Sequence, residues 1–480
     1  MKKTKDTENT PKVSTLEAAI VLLVVLGIMS LGVIGFHLSP QVPVLLAMGV
    51  VTAWAMFRGF PWPAVNAGIK EGIDKGIVPI FIFILIGAMI STWIAAGTIP
   101  TLMVIGFKLI NIQWFLPSVF IVCTLVGTAV GSAFTVTSTV GIAFFGMGVT
   151  MNLNPALVAG AIISGGIFGD KLSPLSETNN LASAVVDTDL FAHIKHIMWS
   201  TVPAGAISLI LFAILGHNNA STSLAKINQT VAVLNGNFNV SALALLPIIL
   251  VFVCAAFKMP AIPTMLLNIF VSAGLILFEQ PKITMTKLTA IINTGFVSKT
   301  GNTSVDTLLS RGGIVSMMSM VALIIVTLSL GGLLVKFGLI NQVMAPIAKH
   351  LNSDGKLILA GILTCIGVNV FVGEQFLSII LPGRAFRKAF NDGGLAGQAL
   401  GRVLEDGGTV INYLVPWGVG GVFLATTLGV PTVDYLPFAF FSLLCPVISV
   451  ISGFTGIGIA HLGQEKSAKA KKGVQAAEIN

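Results

Sequence analysis

The chain has 480 residues, 55% of them apolar and only 10% charged, against about 25% charged in a water-soluble protein. With a mean hydropathy of +0.94 there is too little polar matter to clothe a soluble surface, which excludes a cytosolic enzyme, a secreted domain and a disordered chain together. The formal charge of +8, from 27 Lys and Arg against 19 Asp and Glu, sits mostly at the termini and in short loops, the pattern of a cytoplasmic membrane face and not of a nucleic-acid surface.

A membrane-spanning helix needs about 20 mostly apolar residues. The first candidate, Leu16 to Phe36, follows Lys2, Lys3, Lys5 and Lys12. It is too long for a signal peptide and no small-residue cleavage site follows, so it reads as an uncleaved first span behind a cytoplasmic tail, residues 1–15. Further apolar runs cover about 42–57, 76–96, 98–110, 114–150, 154–169 and 193–216, completing a first transmembrane repeat at 16–216. The stretch 217–240, rich in Asn and Ser with Lys226 as its one basic residue, reads as an extracellular linker. Runs at about 241–256, 260–278, 314–336, 338–349, 357–382, 395–404, 415–429 and 434–460 make a second repeat, 241–463. The tail 464–480 carries Lys466, Lys469, Lys471 and Lys472 and is expected in the cytoplasm. Inside, outside, inside requires an odd number of crossings in each half, the parity of an inverted duplication. A shift of 242 places Cys123 on Cys365, Gly165-Gly166 on Gly407-Gly408 and Pro174 on Pro416, and a shift of 241 places Gly72 on Gly313 and Gly97 on Gly338. Lys282, Lys287, Lys299 and Arg311 fall on the side a strict inversion puts outside, against the charge rule. The predicted fold class is an all-α polytopic membrane protein with two inverted-topology repeats, broken helices and re-entrant hairpins.

Ionisable groups are expensive in hydrocarbon and mark functional sites. The densest group is Gly165 to Asn180, where an apolar helix is expected to break at its glycines and Pro174. It offers Asp170, Ser173, Ser176, Glu177, Thr178, Asn179 and Asn180 as oxygen and amide ligands, a set that suits a hard cation such as Na⁺; a plain polar loop is the alternative. The run 114–150 exceeds one span, and Thr128, Ser132, Thr135, Thr137 and Ser138 are read as the tip of a re-entrant hairpin, although hydroxyls in a helix also bond their own preceding carbonyls. In the second half, Asn369, Glu374 and Gln375 occupy the equivalent tip, followed by Glu405, Asp406 and Asn412, with Arg384 or Arg402 as counter-charge to the paired acids. A helix end at the membrane surface is the alternative for Glu405 and Asp406. His193 and His196 share a helix face and read as an interfacial cap and not a zinc site, which wants four ligands. The four cysteines lie singly in apolar runs and suggest neither disulfides nor a structural metal. Nucleotide-binding glycine motifs are missing, which removes the signature of an ATP-driven pump.

Gly169-Asp170-Lys171-Leu172-Ser173-Pro174-Leu175-Ser176 with Asn180-Leu181-Ala182, Thr188-Asp189-Leu190-Phe191 with His193 and His196, Leu381-Pro382-Gly383-Arg384, Leu404-Glu405-Asp406 and Pro416-Trp417 together resemble the NhaC family of bacterial Na⁺/H⁺ antiporters. The resemblance covers most of the chain. It implies a secondary transporter, not an enzyme, in a bacterial-type inner membrane with both termini cytoplasmic, exchanging cytoplasmic Na⁺ for external H⁺ without a cofactor. Its partners would be lipid and those ions, with a homodimer as an open expectation. The alternative is an Na⁺- or H⁺-coupled transporter of an organic anion, malate or lactate, or of an amino acid, with the arginines and helix amino termini holding a carboxylate. An intramembrane enzyme lacks a nucleophile beside a base. The chain has Ser176-Glu177-Thr178-Asn179 where the family usually has Ser-Asp-Thr-Thr, and Gly418 where many members have Asn after Pro-Trp.

Overall fold

The computed structural model describes residues 11–109, 112–218, 224–347, 351 and 353–462. The tail 464–480 and its lysines, most of the amino-terminal tail, and 219–223 of the linker lie outside them. The first half contains α1 (Thr15–Ser30), α2 (Gln41–Phe57), α3 (Trp62–Asp74), α4 (Ile77–Ala95), α5 (Thr98–Leu109), α6 (Phe115–Val130), α7 (Ala133–Val136), α8 (Ile142–Thr150), α9 (Pro155–Leu172), α10 (Glu177–Val185) and α11 (Leu190–Asn218). The linker contributes α12 (Leu224–Asn237). The second half contains α13 (Leu246–Ala256), α14 (Ala261–Glu279), α15 (Met285–Thr294), α16 (Thr303–Leu309), α17 (Met318–Lys336), α18 (Leu339–Ile347), α19 (Asp354–Val372), α20 (Gln375–Asp392), α21 (Gly397–Leu404), α22 (Val410–Asn412), α23 (Val419–Leu428), α24 (Thr432–Tyr435) and α25 (Phe440–Thr455). π-Turns at Leu31–Gly35 and Thr137–Gly141 in the first half and at Glu405–Thr409 in the second interrupt the helices. The protein is an all-α polytopic membrane protein: among the described residues eight helices are long and apolar enough to cross a bilayer, or nine if Val419–Leu428 and Thr432–Phe438, bent by 92°, count as one span. Large apolar side chains stay exposed on the outer faces of α1, α2, α11 and α14, among them Leu16, Leu45, Ile210 and Phe270, where lipid and not water is the solvent.

The internal repeat is written in the backbone. Left-handed conformations fall at Gly59 and Gly301, Gly97 and Gly338, Gly131 and Gly373, Asn152 and Gly394, and Asp187 and Gly429, each pair 241 or 242 positions apart. All but Gly301, which precedes the cap of α16, end helices, and at the α6–α7 and α19–α20 breaks the chemistry is matched as well. Gly131 closes α6 with φ +71° and Gly373 closes α19 with φ +72°. The next residue then caps the following helix through its side chain, Ser132 to the Thr135 N–H and Glu374 to the Leu377 N–H.

The glycines of Gly165 to Gly169 do not break a helix, contrary to the sequence expectation. α9 runs unbroken from its Asn154 cap to Leu172, and those glycines let it lie against α6. A Cβ on Gly127 would sit 2.8 Å from the Gly166 carbonyl oxygen, and one on Gly169 2.8 Å from the Gly127 Cα. Small residues permit such approach in lipid, where apolar area alone does not drive helices together. The break comes instead at Ser173–Ser176. All four cysteines are free and buried.

Candidate functional site

Four chain breaks, two from each half, meet at one cavity of about 270 Å³. From the first half come Gly131, Ser132 and Thr135 at the α6–α7 break and Asp170, Ser176, Glu177 and Thr178 at the α9–α10 break. From the second come Glu374 and Gln375 at the α19–α20 break and Tyr413 and Val419 either side of the α22–α23 break. Phe83, Phe134, Met89 and Met265 form apolar walls, and Val78, Pro79 and Lys258 to Pro260 also line it. A break of this kind leaves helix-end amides and carbonyls without helical partners, which is why polar side chains gather there.

Three carboxyl groups face this space, and the one cation among the lining residues is the exposed Lys258. Asp170 is 5% exposed, lies against the Ser176 hydroxyl and the Ala133 N–H, and has an Oδ1 without a hydrogen-bond partner. The Ser176 and Thr178 hydroxyls are 3.0 Å apart. Glu177 is exposed to the cavity, whereas Glu374 is 2% exposed and accepts the Leu377 N–H at 2.8 Å. The Gln375 Oε1 is buried without a partner. Two lining residues went unnoticed in the sequence. Asn268, in the middle of apolar α14, accepts a hydrogen bond from the Trp93 indole and leaves its own amide nitrogen unpartnered. The other is Tyr413, buried at the end of α22. A lone Asn inside a span was the available signal.

Other expected ligands are used up within the fold. Asn179 donates to the carbonyls of Lys171 and Ser173 at 2.9 Å each, Asn180 donates to Pro174 and Ser176, and the Ser173 hydroxyl accepts the Leu175 N–H, so this trio braces the break. Asn369 donates to the Gly407 and Gly408 carbonyls of the π-turn and accepts from Asn412, whose own oxygen accepts the Gly420 N–H. Thr128, Thr137 and Ser138 donate back to carbonyls four residues earlier. Of the hairpin-tip group, Ser132 and Thr135 reach the cavity.

Glu405 and Asp406 lie in a dry cluster beside the cavity, both 0% exposed, and not at a helix end on the surface. Asp406 takes its direct partner from outside the expected arginines, although Arg402 does face it. Arg384 is exposed, and Arg402, though buried, donates to the Gly458 carbonyl at 2.8 Å and the Ser452 hydroxyl at 3.0 Å. The cation that meets Asp406 is Lys171, in an ion pair sealed from solvent on both sides, with the Cys445 sulfur 3.6 Å from the ammonium. Consecutive residues of a helix point about 100° apart, so α9 turns Asp170 to the cavity and Lys171 to the cluster. His193 is likewise no interfacial cap: it is 0% exposed, packs against Gly401, and neither ring nitrogen has a partner. Among the described residues no three His, Cys, Asp or Glu side chains are grouped to hold a metal ion.

Residues 167–457, which span both α9–α10 and the cluster, match the Na⁺/H⁺ antiporter family. The chain belongs to that family. It is 37% identical over 463 residues to the Na⁺/H⁺ antiporter NhaC of Alkalihalophilus pseudofirmus, covering 96% of this chain and 100% of that protein. It is 37% identical over 420 residues to the NhaC of Bacillus subtilis, covering 87% and 93%. The malate-2H⁺/Na⁺-lactate antiporter of Bacillus subtilis is 32% identical over 458 residues, covering 94% and 97%.

Proposed function

We propose that this chain is a secondary transporter, not an enzyme, that exchanges cytoplasmic Na⁺ for external H⁺ at Asp170, Glu177 and Glu374. The observation that carries this reading is the meeting of all four chain breaks at one cavity with three carboxyl groups and no buried cation. Carboxylates with the Ser132, Ser176 and Thr178 hydroxyls are the oxygen donors a hard cation needs. A carboxyl group taken out of water favours its neutral form, and an adjacent cation favours its charged form, so proton and Na⁺ displace one another at the same oxygens. That competition is antiport: each side of the membrane loads whichever ion is in excess. Each net charge moved through 100 mV is worth about 2.3 kcal/mol, so the membrane potential can drive unequal exchange.

Orientation follows the distribution of basic residues. Arg58, Lys75, Lys258 and Lys336 stand at or just beyond the carboxyl ends of α2, α3, α13 and α17, with Lys70 in the last turns of α3; Lys258 lines the cavity, and Lys75 is near Glu374. With both termini cytoplasmic and an odd number of crossings per half, the cavity opens to the cytoplasm. An organic anion is less well served. Its carboxylate would meet three acids, with the exposed Lys258 on the wall and Lys75 near Glu374 to offset them, while Arg384 and Arg402 lie elsewhere. The test is dye-reported proton movement in proteoliposomes on addition of Na⁺ alone, malate, lactate or amino acids. Na⁺ alone should suffice; a response that needs malate or lactate would overturn the reading.

A further inference from the structure

Glu405 stands apart from both the cavity and the ion pair. It opens the π-turn Glu405–Thr409, lies outside the cavity wall, and neither of its carboxyl oxygens has a hydrogen-bond partner. The charged groups facing it are Lys171 and Asp170 from α9 and Asp406 from its own turn, with Thr409 beside it. Around these, Arg402, Cys365 of α19 and Cys445 of α25 face Asp406, His193 faces Lys171, and His196 faces Arg402. Both cations are engaged: Lys171 with Asp406, and Arg402 with a carbonyl and a hydroxyl. That leaves Glu405 to share Lys171 with Asp406, which holds its ammonium directly. A buried carboxylate with no hydrogen bond and only a shared counter-charge is costly, and a proton or a nearby cation relieves it. Tyr413 faces Asp170, Glu177 and Glu405 alike, and its ring lines the cavity.

We infer that Glu405 is a second proton carrier of the transport cycle, protonated while the cavity is empty and deprotonated when a cation sits beside Asp170. This rests on the reading of Asp170 as the cation ligand. In the step, the O–H bonds of both carboxyl groups break, two protons leave to the cytoplasmic water, and one Na⁺ takes the place of one of them. The cycle then carries one net charge. Without Glu405 it carries none.

The consequence is measurable at zero pH gradient. One net charge through 100 mV corresponds to an equilibrium Na⁺ ratio of about 50-fold. Proteoliposomes of the wild type under a potassium diffusion potential of that size should accumulate ²²Na⁺ towards this ratio. Glu405→Gln should bring the ratio to about one, while keeping ²²Na⁺/Na⁺ exchange and Na⁺-dependent proton movement under a pH gradient. Glu405→Asp, which keeps the carboxyl group, should retain accumulation. The inference is overturned by Glu405→Gln accumulating like the wild type, by a wild type that exchanges without responding to potential, or by both variants losing ²²Na⁺/Na⁺ exchange. A wild type showing no Na⁺-dependent proton movement would overturn the exchange reading itself.

Discussion

Replacing Lys171 with Met keeps the length of the side chain and removes its charge. Both members of the Lys171–Asp406 pair are fully buried, and the second oxygen of Asp406 is already without a hydrogen bond. The variant therefore leaves a bare carboxylate in the interior, since Arg402 is committed to Gly458 and Ser452. Breaking one side of a buried pair costs about 3–5 kcal/mol, whereas replacing both partners by apolar groups of similar volume is often close to neutral. Lys171→Met should lower stability in detergent by that amount, and Lys171→Met with Asp406→Leu should recover most of it. Thermal unfolding of the wild type, both single variants and the double variant gives the coupling directly. A Lys171→Met protein as stable as the wild type, or a double variant no better than the single, would refute the claim that this pair is sealed from solvent and without a spare cation.

Asn412→Ala strands the Asn369 side-chain oxygen and the Gly420 N–H and should cost about 1–3 kcal/mol of stability, with the Na⁺ concentration for half-maximal exchange unchanged within about two-fold; a large affinity loss would return Asn412 to the ligand set. Gly169→Val forces side-chain atoms into the α6 backbone beside Gly127 and should destabilise by about 1–3 kcal/mol or more, seen as loss of monodisperse protein after extraction. Outside the spans, Asp306 accepts from the Thr300 N–H, the Ser298 and Thr300 hydroxyls and the Gly301 N–H, which hold its carboxyl group below the usual range. A depressed folded-state value contributes stability above the unfolded value of about 3.9 and loses it as pH falls through the folded one. Protection of the 298–306 loop against hydrogen exchange, taken relative to the intrinsic rate at each pH, should thus be high at neutral pH, fall in acid, and be pH-insensitive over that range in Asp306→Asn.

The acids were legible in the sequence because spans so short of charge make each one conspicuous, and Asp170, Glu177 and Glu374 do line the cavity. Their geometry was less so. Adjacent residues read as one polar patch, yet helical rotation separates Asp170 from Lys171 into two compartments, and that hid the true partner of Asp406. Glycine pairs read as breakers, but their lack of a side chain serves helix packing in α9. Two of the five left-handed pairs were concealed for a related reason: Asn152 and Asp187 adopt the left-handed backbone that glycine adopts at 394 and 429, so identity was lost while conformation was kept. The amides Asn179, Asn369 and Asn412 have the chemistry of ligands, and only the hydrogen-bond pattern shows them bracing the breaks.

The central claim is that Asp170 is where Na⁺ and H⁺ compete. Its most direct measurement is the Na⁺-induced collapse of a preset pH gradient in proteoliposomes containing Asp170→Asn, beside wild-type vesicles of equal protein content and with folding checked by size-exclusion chromatography. The account predicts a folded variant with no Na⁺-dependent proton movement. Exchange at the wild-type rate in that variant would contradict it.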